Sequence, residues 1–158
     1  MMQKLPLYIS LMFFLSCQVR IETKEPLTHS NIKLEDFEVP QNIAKRIGHT
    51  MNKAEVQMFA NGLLPSKKFP LKKGYYTLTI EAKGTQAYNV YPNLKVFLDA
   101  ELLGEVELLG EYSVSRLSFQ AEKEQLSQIS IAFDSDGLDD KGNDRDVFIK
   151  SVSLGEAS

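Results

Sequence analysis

The fold is decided by residues 75–82, which read YYTLTIEA. Within this stretch large or apolar side chains occupy every second position, as Tyr76, Leu78, Ile80 and Ala82. A period of two in a run rich in β-branched and aromatic residues is typical of a strand with one buried face. Turn residues bound the stretch, with Lys73-Gly74 before it and Lys83-Gly84 after it. The sequence therefore predicts a half-buried strand here.

Similar strand patterns recur along the rest of the chain. Strands are predicted within residues 54–62, 94–98, 101–111, 112–120, 129–133 and 147–154. In the run 112–120, Val114 has the opposite parity to Leu117 and Phe119, which predicts a β-bulge near Ser115 or Arg116. Helical periodicity is almost absent. Short strands spaced roughly 8–14 residues apart predict an all-β fold, an antiparallel, jelly-roll-like β-sandwich.

Composition limits the class of protein. The chain has 158 residues, of which 43% are hydrophobic and 25% charged, as expected of one globular domain with a short extension. A net charge of -3 argues against phosphate-backbone recognition, so no nucleic-acid partner is expected. One cysteine excludes a disulfide framework and a cysteine zinc site. The two histidines, His29 and His49, leave little scope for histidine catalysis.

The N-terminus has the features of a secretory signal. Lys4 supplies a positive charge, and the apolar run at 5–15 is too short to cross a bilayer. Cys17 follows immediately after Ser16. The sequence Phe14-Leu15-Ser16-Cys17 resembles a bacterial lipobox, in which the cysteine thiol receives a diacylglyceryl group before cleavage. The alternative is an ordinary signal peptide whose cysteine falls near the cut.

This resemblance implies three segments. Residues 1–16 form a lipoprotein signal peptide, residues 17–45 a lipid-anchored tether, and residues 46–158 the β-sandwich domain. The protein is then held in the bacterial cell envelope by fatty acylation at Cys17, and its membrane partner is the lipid itself. Gln18 replaces the aspartate that retains lipoproteins at the inner membrane in enteric bacteria, so the outer membrane is expected.

Six of the eight aspartates lie within residues 134–146, which read DSDGLDDKGNDRD. With Lys141 and Arg145 included, this acidic loop carries a charge of -4. Such crowding is unfavourable unless a cation lies inside it. Ca²⁺ takes about six to eight oxygen ligands. The spacing is not that of an EF-hand, and a solvated surface turn remains the alternative.

The order of several segments resembles the calcium-dependent, xylan-binding carbohydrate-binding modules of families 36 and 60. A strand ending at Phe133 precedes the acidic loop, and the stretch 144–149, DRDVFI, opens the closing strand. Upstream, segments 74–76, 82–85 and 92–99 agree with the same modules. The chain departs from the pattern at Ser135 and Asp146, where asparagine is usual, and at Val147-Phe148, where the modules have Leu-Tyr.

The resemblance implies a sandwich whose loops hold Ca²⁺, with the ion binding vicinal hydroxyls of a xylan-like or other glycan. Matched by position, Asp136 and Asp144 are metal ligands. Asp139 lies between them and is the third predicted ligand, and Asp140 is a weaker one.

Three tyrosines are candidates for contact with the sugar, because sugars stack on aromatic faces. They are Tyr88, Tyr91 and Tyr112, of which the first two lie in the loop sequence QAYNVYPN at 86–93. Packing of these rings at a corner of the sandwich is an equal alternative.

Three functions can be weighed from these features. The first is a non-catalytic, lipid-anchored protein that binds glycans through calcium. The second is an envelope lipoprotein in which calcium only stabilises the loop and the surface contacts other proteins. The third is a glycosidase using Glu105 and Glu107. Alternate strand residues share a face, and surface strands commonly carry glutamate. No catalytic motif accompanies the pair, so no catalytic residue is predicted.

Overall fold

The structure, a computed structural model, describes residues 32–38, 47–49 and 55–156. Within these residues it contains a short 3-10 helix at Leu34–Asp36 and eleven strands. The strands are β1 (Ile47–His49), β2 (Val56–Met58), β3 (Gly62–Pro65), β4 (Phe69–Leu71), β5 (Gly74–Gly84), β6 (Asn93–Leu98), β7 (Glu101–Glu107), β8 (Ser113–Ala121), β9 (Gln125–Ser127), β10 (Ile129–Phe133) and β11 (Val147–Glu156). The predicted signal peptide and Cys17 lie outside the described residues.

Two antiparallel sheets form the sandwich. One has five strands in the order β1-β2-β11-β5-β8, and the other has four in the order β3-β10-β6-β7. Strands β4 and β9 make a small third sheet. The predicted antiparallel β-sandwich is confirmed.

The core lies between the inner faces of the two sheets. It is built from the alternating residues that the sequence places on one side of each strand, so that Leu78, Val96 and Ile131 have no accessible surface. Phe133 and Tyr76 are among the largest buried side chains. Burial of this continuous apolar interior provides the main stabilisation of the fold.

The predicted bulge in β8 is wrong. Strand β8 pairs with β5 in one unbroken register from Gly74↔Ala121 to Ala82↔Ser113. Leu117 packs against the core, whereas Val114 is half exposed. An apolar side chain on the outer face of a regular strand interrupts the alternation in the same way as a β-bulge does, so the sequence pattern alone does not distinguish the two. The register shifts occur instead between β6 and β7 and between β5 and β11.

The segment 32–38, which lies within the predicted tether, packs onto the sandwich. Ile32 and Phe37 are buried in the core. Lys33 bridges Ser153 of β11, and the Leu154 N–H donates to the Ile32 carbonyl oxygen over 3.3 Å. The structured body therefore includes this segment.

No helix among the described residues is long and apolar enough to span a bilayer.

Candidate functional site

Four connections meet at one end of the sandwich. Strand β11 begins at Val147, which pairs with the last residue of β5 and the last residue of β2. Strand β10 ends at Phe133, which pairs with the first residue of β3. The connections at this end are residues 59–61, 85–92, 108–112 and 134–146. The acidic loop thus lies beside the tyrosine-bearing loop that the sequence singled out.

Thr85 joins the β5–β6 connection to the acidic loop. Its hydroxyl donates to the Asp144 carbonyl oxygen over 2.5 Å and accepts from the Asp146 N–H over 2.8 Å. The Thr85 N–H donates in turn to the Asp146 carbonyl oxygen over 3.0 Å. These bonds hold the backbone at both aspartates against β5.

Asn61 holds the opposite side of the loop. Its Oδ1 accepts from the Asp136 N–H over 2.8 Å. The backbone positions of Asp136, Asp144 and Asp146 are therefore set by bonds to two different connections. Among the described residues, no side chain donates a hydrogen bond to their carboxylates, which are left available to a ligand.

Asp146 has one oxygen that lacks a partner. Its Oδ1 is buried and has no hydrogen-bond partner within the described part of the chain. The pKa of Asp146 is raised above its usual value, first by burial and then by the charges of Asp144 and Asp136. A partly buried carboxylate beside two like charges is unfavourable unless a cation joins them. These three carboxylates are the set that a hard cation would relieve.

Asp139, a predicted ligand, has both oxygens engaged. Its Oδ1 accepts from the backbone N–H groups of Lys141 and Asn143, each over 2.9 Å. Its Oδ2 accepts from the Asn143 amide over 2.9 Å and from the Tyr88 N–H over 3.3 Å. The hydrogen bond from the Asn143 side-chain amide lowers the pKa of Asp139 most, and the bond from the Asn143 backbone N–H lowers it further, so that this pKa lies below its usual value. In this arrangement the carboxylate organises the turn at residues 139–143.

The remaining charged side chains of the loop are either paired with another group or exposed to solvent. Asp134 accepts a 2.6 Å hydrogen bond from Lys95, which also raises the pKa of that lysine. Asp140 is exposed. Arg145 folds back over Gly137, and its Nε is buried without a hydrogen-bond partner. The guanidinium therefore offsets part of the negative charge from inside the loop.

The carboxylates do not already converge on one point. Across residues 32–38, 47–49 and 55–156, no group of three or more histidine, cysteine, aspartate or glutamate side chains is arranged to hold a metal ion. Asp136 and Asp144 nevertheless lie close enough to Asp146 for their charges to raise its pKa.

Tyr88 lies at the edge of the acidic loop. Its hydroxyl donates to the Leu138 carbonyl oxygen over 2.7 Å, and the residue as a whole is 56% exposed. Tyr88 and Asn89 both have left-handed backbone angles, with φ of 58° and 60°. Two such central residues form the tight turn whose twist suits antiparallel strands.

The other two predicted tyrosines have different surroundings. Tyr91 is half-buried, and its ring lies against Gly110. Tyr112 lies on the outer face of the five-stranded sheet, where its hydroxyl donates to Glu55 and the Lys83 ammonium lies 4.8 Å from its ring centre. Burial is the main cause that raises the pKa of Tyr112, and the hydrogen bond to Glu55 is the second. Together with nearby negative charge they bring this pKa to about 12. Of these three tyrosines, within the part of the chain that the structure describes, Tyr88 alone is hydrogen-bonded to the acidic loop.

The two glutamates considered as a glycosidase pair lie on the exposed side of β7. Glu105 accepts from the Asn93 amide over 3.1 Å, and Glu107 is exposed. Neither glutamate is hydrogen-bonded to a described residue of the acidic loop.

Sequence reasoning missed Thr85 and Asn61, because a single threonine or asparagine in a turn carries no distinctive signal. It noted Asp146 only as a departure from the family pattern. The available signal was the spacing of Asp144 and Asp146, two positions apart at the start of a strand.

Solved structures share the fold at low sequence identity. The chain superposes on the C-terminal CBM6 of LamC, a laminarinase from Zobellia galactanivorans, with a TM-score of 0.56 and 11% identity, covering 80% of this chain and 99% of that one. The CBM36-1 domain of a multidomain xylanase from the hindgut metagenome of Trinervitermes trinervoides gives a TM-score of 0.50 and 13% identity, covering 82% and 98%. These likenesses establish the β-sandwich fold.

An acetyl xylan esterase from Butyrivibrio proteoclasticus also superposes, with a TM-score of 0.54 and 10% identity, but only 34% of that chain is covered. No curated protein sequence matches the chain significantly.

A comparison of the sequence with protein-family profiles identifies the family. The profile of CBM60, described as a Ca-dependent, xylan-binding carbohydrate-binding module, matches residues 77–158. This stretch is more than half of the chain and contains most of β5, Thr85, Tyr88 and the entire acidic loop. The chain therefore belongs to CBM60, a family of calcium-dependent, xylan-binding carbohydrate-binding modules.

Proposed function

We propose that this protein is a non-catalytic module that binds a xylan-like glycan through Ca²⁺ held by Asp136, Asp144 and Asp146. The observation that carries the proposal is the buried, unpartnered oxygen of Asp146 with two further acids close enough to raise its pKa. Family membership supports the choice of calcium. Carboxylate oxygens are hard ligands of the kind that calcium prefers.

The residues at this end of the sandwich have different roles in the proposed site. Thr85 and Asn61 position the backbone at the three aspartates. Bound calcium would offer open coordination positions to two neighbouring sugar hydroxyls in place of two waters. Backbone carbonyls of the loop are suited to supply further oxygens, because calcium requires about six to eight. Asp139 stays in the proposal as the residue that shapes the turn, since both of its oxygens already accept hydrogen bonds.

The metal site is tested by calorimetric titration of chelator-treated protein with Ca²⁺. Asp146→Asn is expected to weaken calcium binding at least as much as loss of an outer-shell partner does, roughly 10- to 100-fold. Asp140→Asn is the matched control, because it removes the same charge from the same loop at an exposed position. Equal effects of the two variants would mean that only the net charge matters and that Asp146 is not a ligand.

Glycan binding is tested by titrating xylo-oligosaccharides with Ca²⁺ present and again with EDTA. Binding that disappears with EDTA and returns with added Ca²⁺ is the expected result. Calcium that raises the melting temperature without any glycan binding would support the second candidate, a structural ion that stabilises the loop of an envelope lipoprotein.

We also propose that the module is attached to the outer membrane through fatty acylation of Cys17. The first described residue, Ile32, accepts a hydrogen bond from the Leu154 N–H, eight positions along the chain from Asp146 at the end of the acidic loop. At about 3.3 Å per strand residue, this contact lies roughly 26 Å from the end of the loop. The described part of the chain therefore begins away from the proposed glycan site, which is compatible with an anchor at Cys17.

The anchor is tested in a Gram-negative bacterial host by labelling with a palmitate analogue and by fractionating membranes. Wild-type protein is expected to be labelled and membrane-bound, and Cys17→Ala is expected to be unlabelled and released. Membrane retention of the unlabelled variant would contradict the lipid anchor without affecting the glycan proposal.

A further inference from the structure

A cleft of about 310 Å³ opens between the turn at Tyr88–Asn89 and the turn at residues 139–143. Its walls include three side-chain amides, from Gln86, Asn89 and Asn143, together with the Tyr88 ring. Its volume is at the lower end of the roughly 300–1,000 Å³ typical of ligand pockets. Amides donate and accept hydrogen bonds with neutral groups, and an aromatic ring offers a face to the apolar side of a sugar.

The cleft walls are held in place by the protein itself. On one side, Ala87 and Val90 exchange backbone hydrogen bonds of 3.2 and 3.0 Å across the turn. The Tyr88 hydroxyl and N–H then join this turn to Leu138 and Asp139 on the other side. A ligand entering such a cleft does not have to order the loops, which lowers the cost of binding.

Residues that line the cleft adjoin, along the chain, residues of the proposed calcium site. Gln86 follows Thr85, whose hydroxyl bonds Asp144 and Asp146. Asn143, on the opposite wall, immediately precedes Asp144. Consecutive Cα atoms lie about 3.8 Å apart, so the cleft begins one residue away from the calcium site on both walls. A glycan held at calcium by one sugar unit can place its next unit here.

Charge selects among possible sugar units. Asp139 and Asp140 face the cleft with only Lys141 as a cation. The acidic loop as a whole carries -4, and one Ca²⁺ reduces this only to -2. A sugar carboxylate entering the cleft would meet like charges, whereas a neutral sugar would not. Repulsion of this kind is how binding sites reject a competing ligand.

We propose that this cleft is a second sugar subsite that binds a neutral unit adjacent to the calcium-bound unit and disfavours units bearing uronic acid. The inference rests on the proposed function, because it assumes that calcium holds the first unit.

The first test measures how affinity depends on oligosaccharide length. Xylose and linear xylotriose are titrated by NMR at saturating Ca²⁺ against wild type, Gln86→Ala and Asn89→Gly. Glycine keeps the left-handed backbone at position 89 and removes only the amide. Each variant is expected to weaken xylotriose binding about two- to tenfold, the loss of one or two neutral hydrogen bonds, and to leave xylose binding unchanged. Gln120→Ala, on the exposed face of β8, is the control and should change neither.

The second test measures charge selection. Linear xylotriose is compared with xylotriose carrying one glucuronic acid, using wild type, Asp140→Asn and Lys141→Gln at low salt. Asp140→Asn is expected to raise the acidic-to-neutral affinity ratio about two- to fivefold, and Lys141→Gln to lower it by a similar factor. High salt should reduce both changes.

The outcomes separate the two proposals. If no glycan binds in a calcium-dependent manner, the proposed function fails and this inference with it. If xylotriose binds with calcium but the cleft variants weaken xylose and xylotriose equally, or weaken neither, the proposed function stands and the second subsite is refuted. A ratio that does not respond to Asp140 or Lys141 refutes the charge selection.

Discussion

Gly84 is a position where one added methyl group tests how the site is packed. It ends β5, and a Cβ at this position would lie 2.3 Å from Pro92 Cγ, 2.6 Å from Pro92 Cδ and 3.2 Å from the Asp146 carbonyl oxygen. Carbon atoms in contact are normally about 3.5–4.0 Å apart. Alanine therefore requires a displacement of more than about 1 Å between β5 and the loop that follows it.

The neighbours of Gly84 cannot easily move aside. Pro92 is a rigid ring, is buried, and accepts a 3.0 Å hydrogen bond from the Leu108 N–H. The Gly84 N–H is itself bonded to the Leu109 carbonyl oxygen over 2.8 Å. Overpacking in such a place typically costs about 1–3 kcal/mol. At about 4 °C per kcal/mol for a domain of this size, Gly84→Ala should lower the melting temperature by roughly 4–12 °C.

The assay is urea unfolding followed by circular dichroism, with m-values compared to confirm a two-state transition. Gly155→Ala is the matched control, because a Cβ there meets no atom within 4 Å. The control should be neutral or stabilised by about 0.4–1 kcal/mol. If the two variants unfold with free energies within about 0.5 kcal/mol of each other, the packing argument at Gly84 is wrong.

Three further predictions concern separate parts of the molecule. Phe133→Ala should lower the free energy of unfolding by about 3–5 kcal/mol in urea, because the ring is buried in the core. Titration of tyrosinate absorbance should show one transition near pH 12 that Tyr112→Phe removes. A raised folded pKa gives stability that is present below the unfolded value and lost as pH rises through the folded one. The stability advantage of wild type over Tyr112→Phe should therefore shrink above pH 10. The pKa of Asp146 is also raised in the folded protein, so the same linkage applies to it. At pH values above 3.8, the ordinary pKa of an aspartate, ionisation of Asp146 therefore destabilises the calcium-free protein. Asp146→Asn should raise the melting temperature at pH 7 in EDTA, and a lower melting temperature would contradict the reasoning.

Strand positions were largely predictable because alternation is a local property. Residues 75–82 and 129–133 alternate strictly, and both lie in strands with the expected inner faces. The prediction failed where local pattern and tertiary environment disagree, as at Val114, whose outward apolar side chain has the parity of a bulge.

The candidate site was predictable only in outline. The density of aspartates in residues 134–146 identified the loop, and Asp136 and Asp144 lie in the proposed oxygen site. Asp139 and Asp146 are chemically equal in the sequence. They differ in the structure because Asn143 and Lys141 donate hydrogen bonds to the Asp139 carboxylate, whereas Asp146 has one buried oxygen without a partner in the described part of the chain and lies near like charges.

The sandwich and the crowding of negative charge in residues 134–146 could be predicted, because both follow from the order of residues along one strand or one loop. Folding is needed to show that Asp146 has an oxygen without a partner, and that Tyr88 and Asn89 line the same cleft as residues 139–143. Those properties depend on which connections the sheets bring to the same end, and strand pairing across long stretches of sequence leaves no local pattern from which to read it.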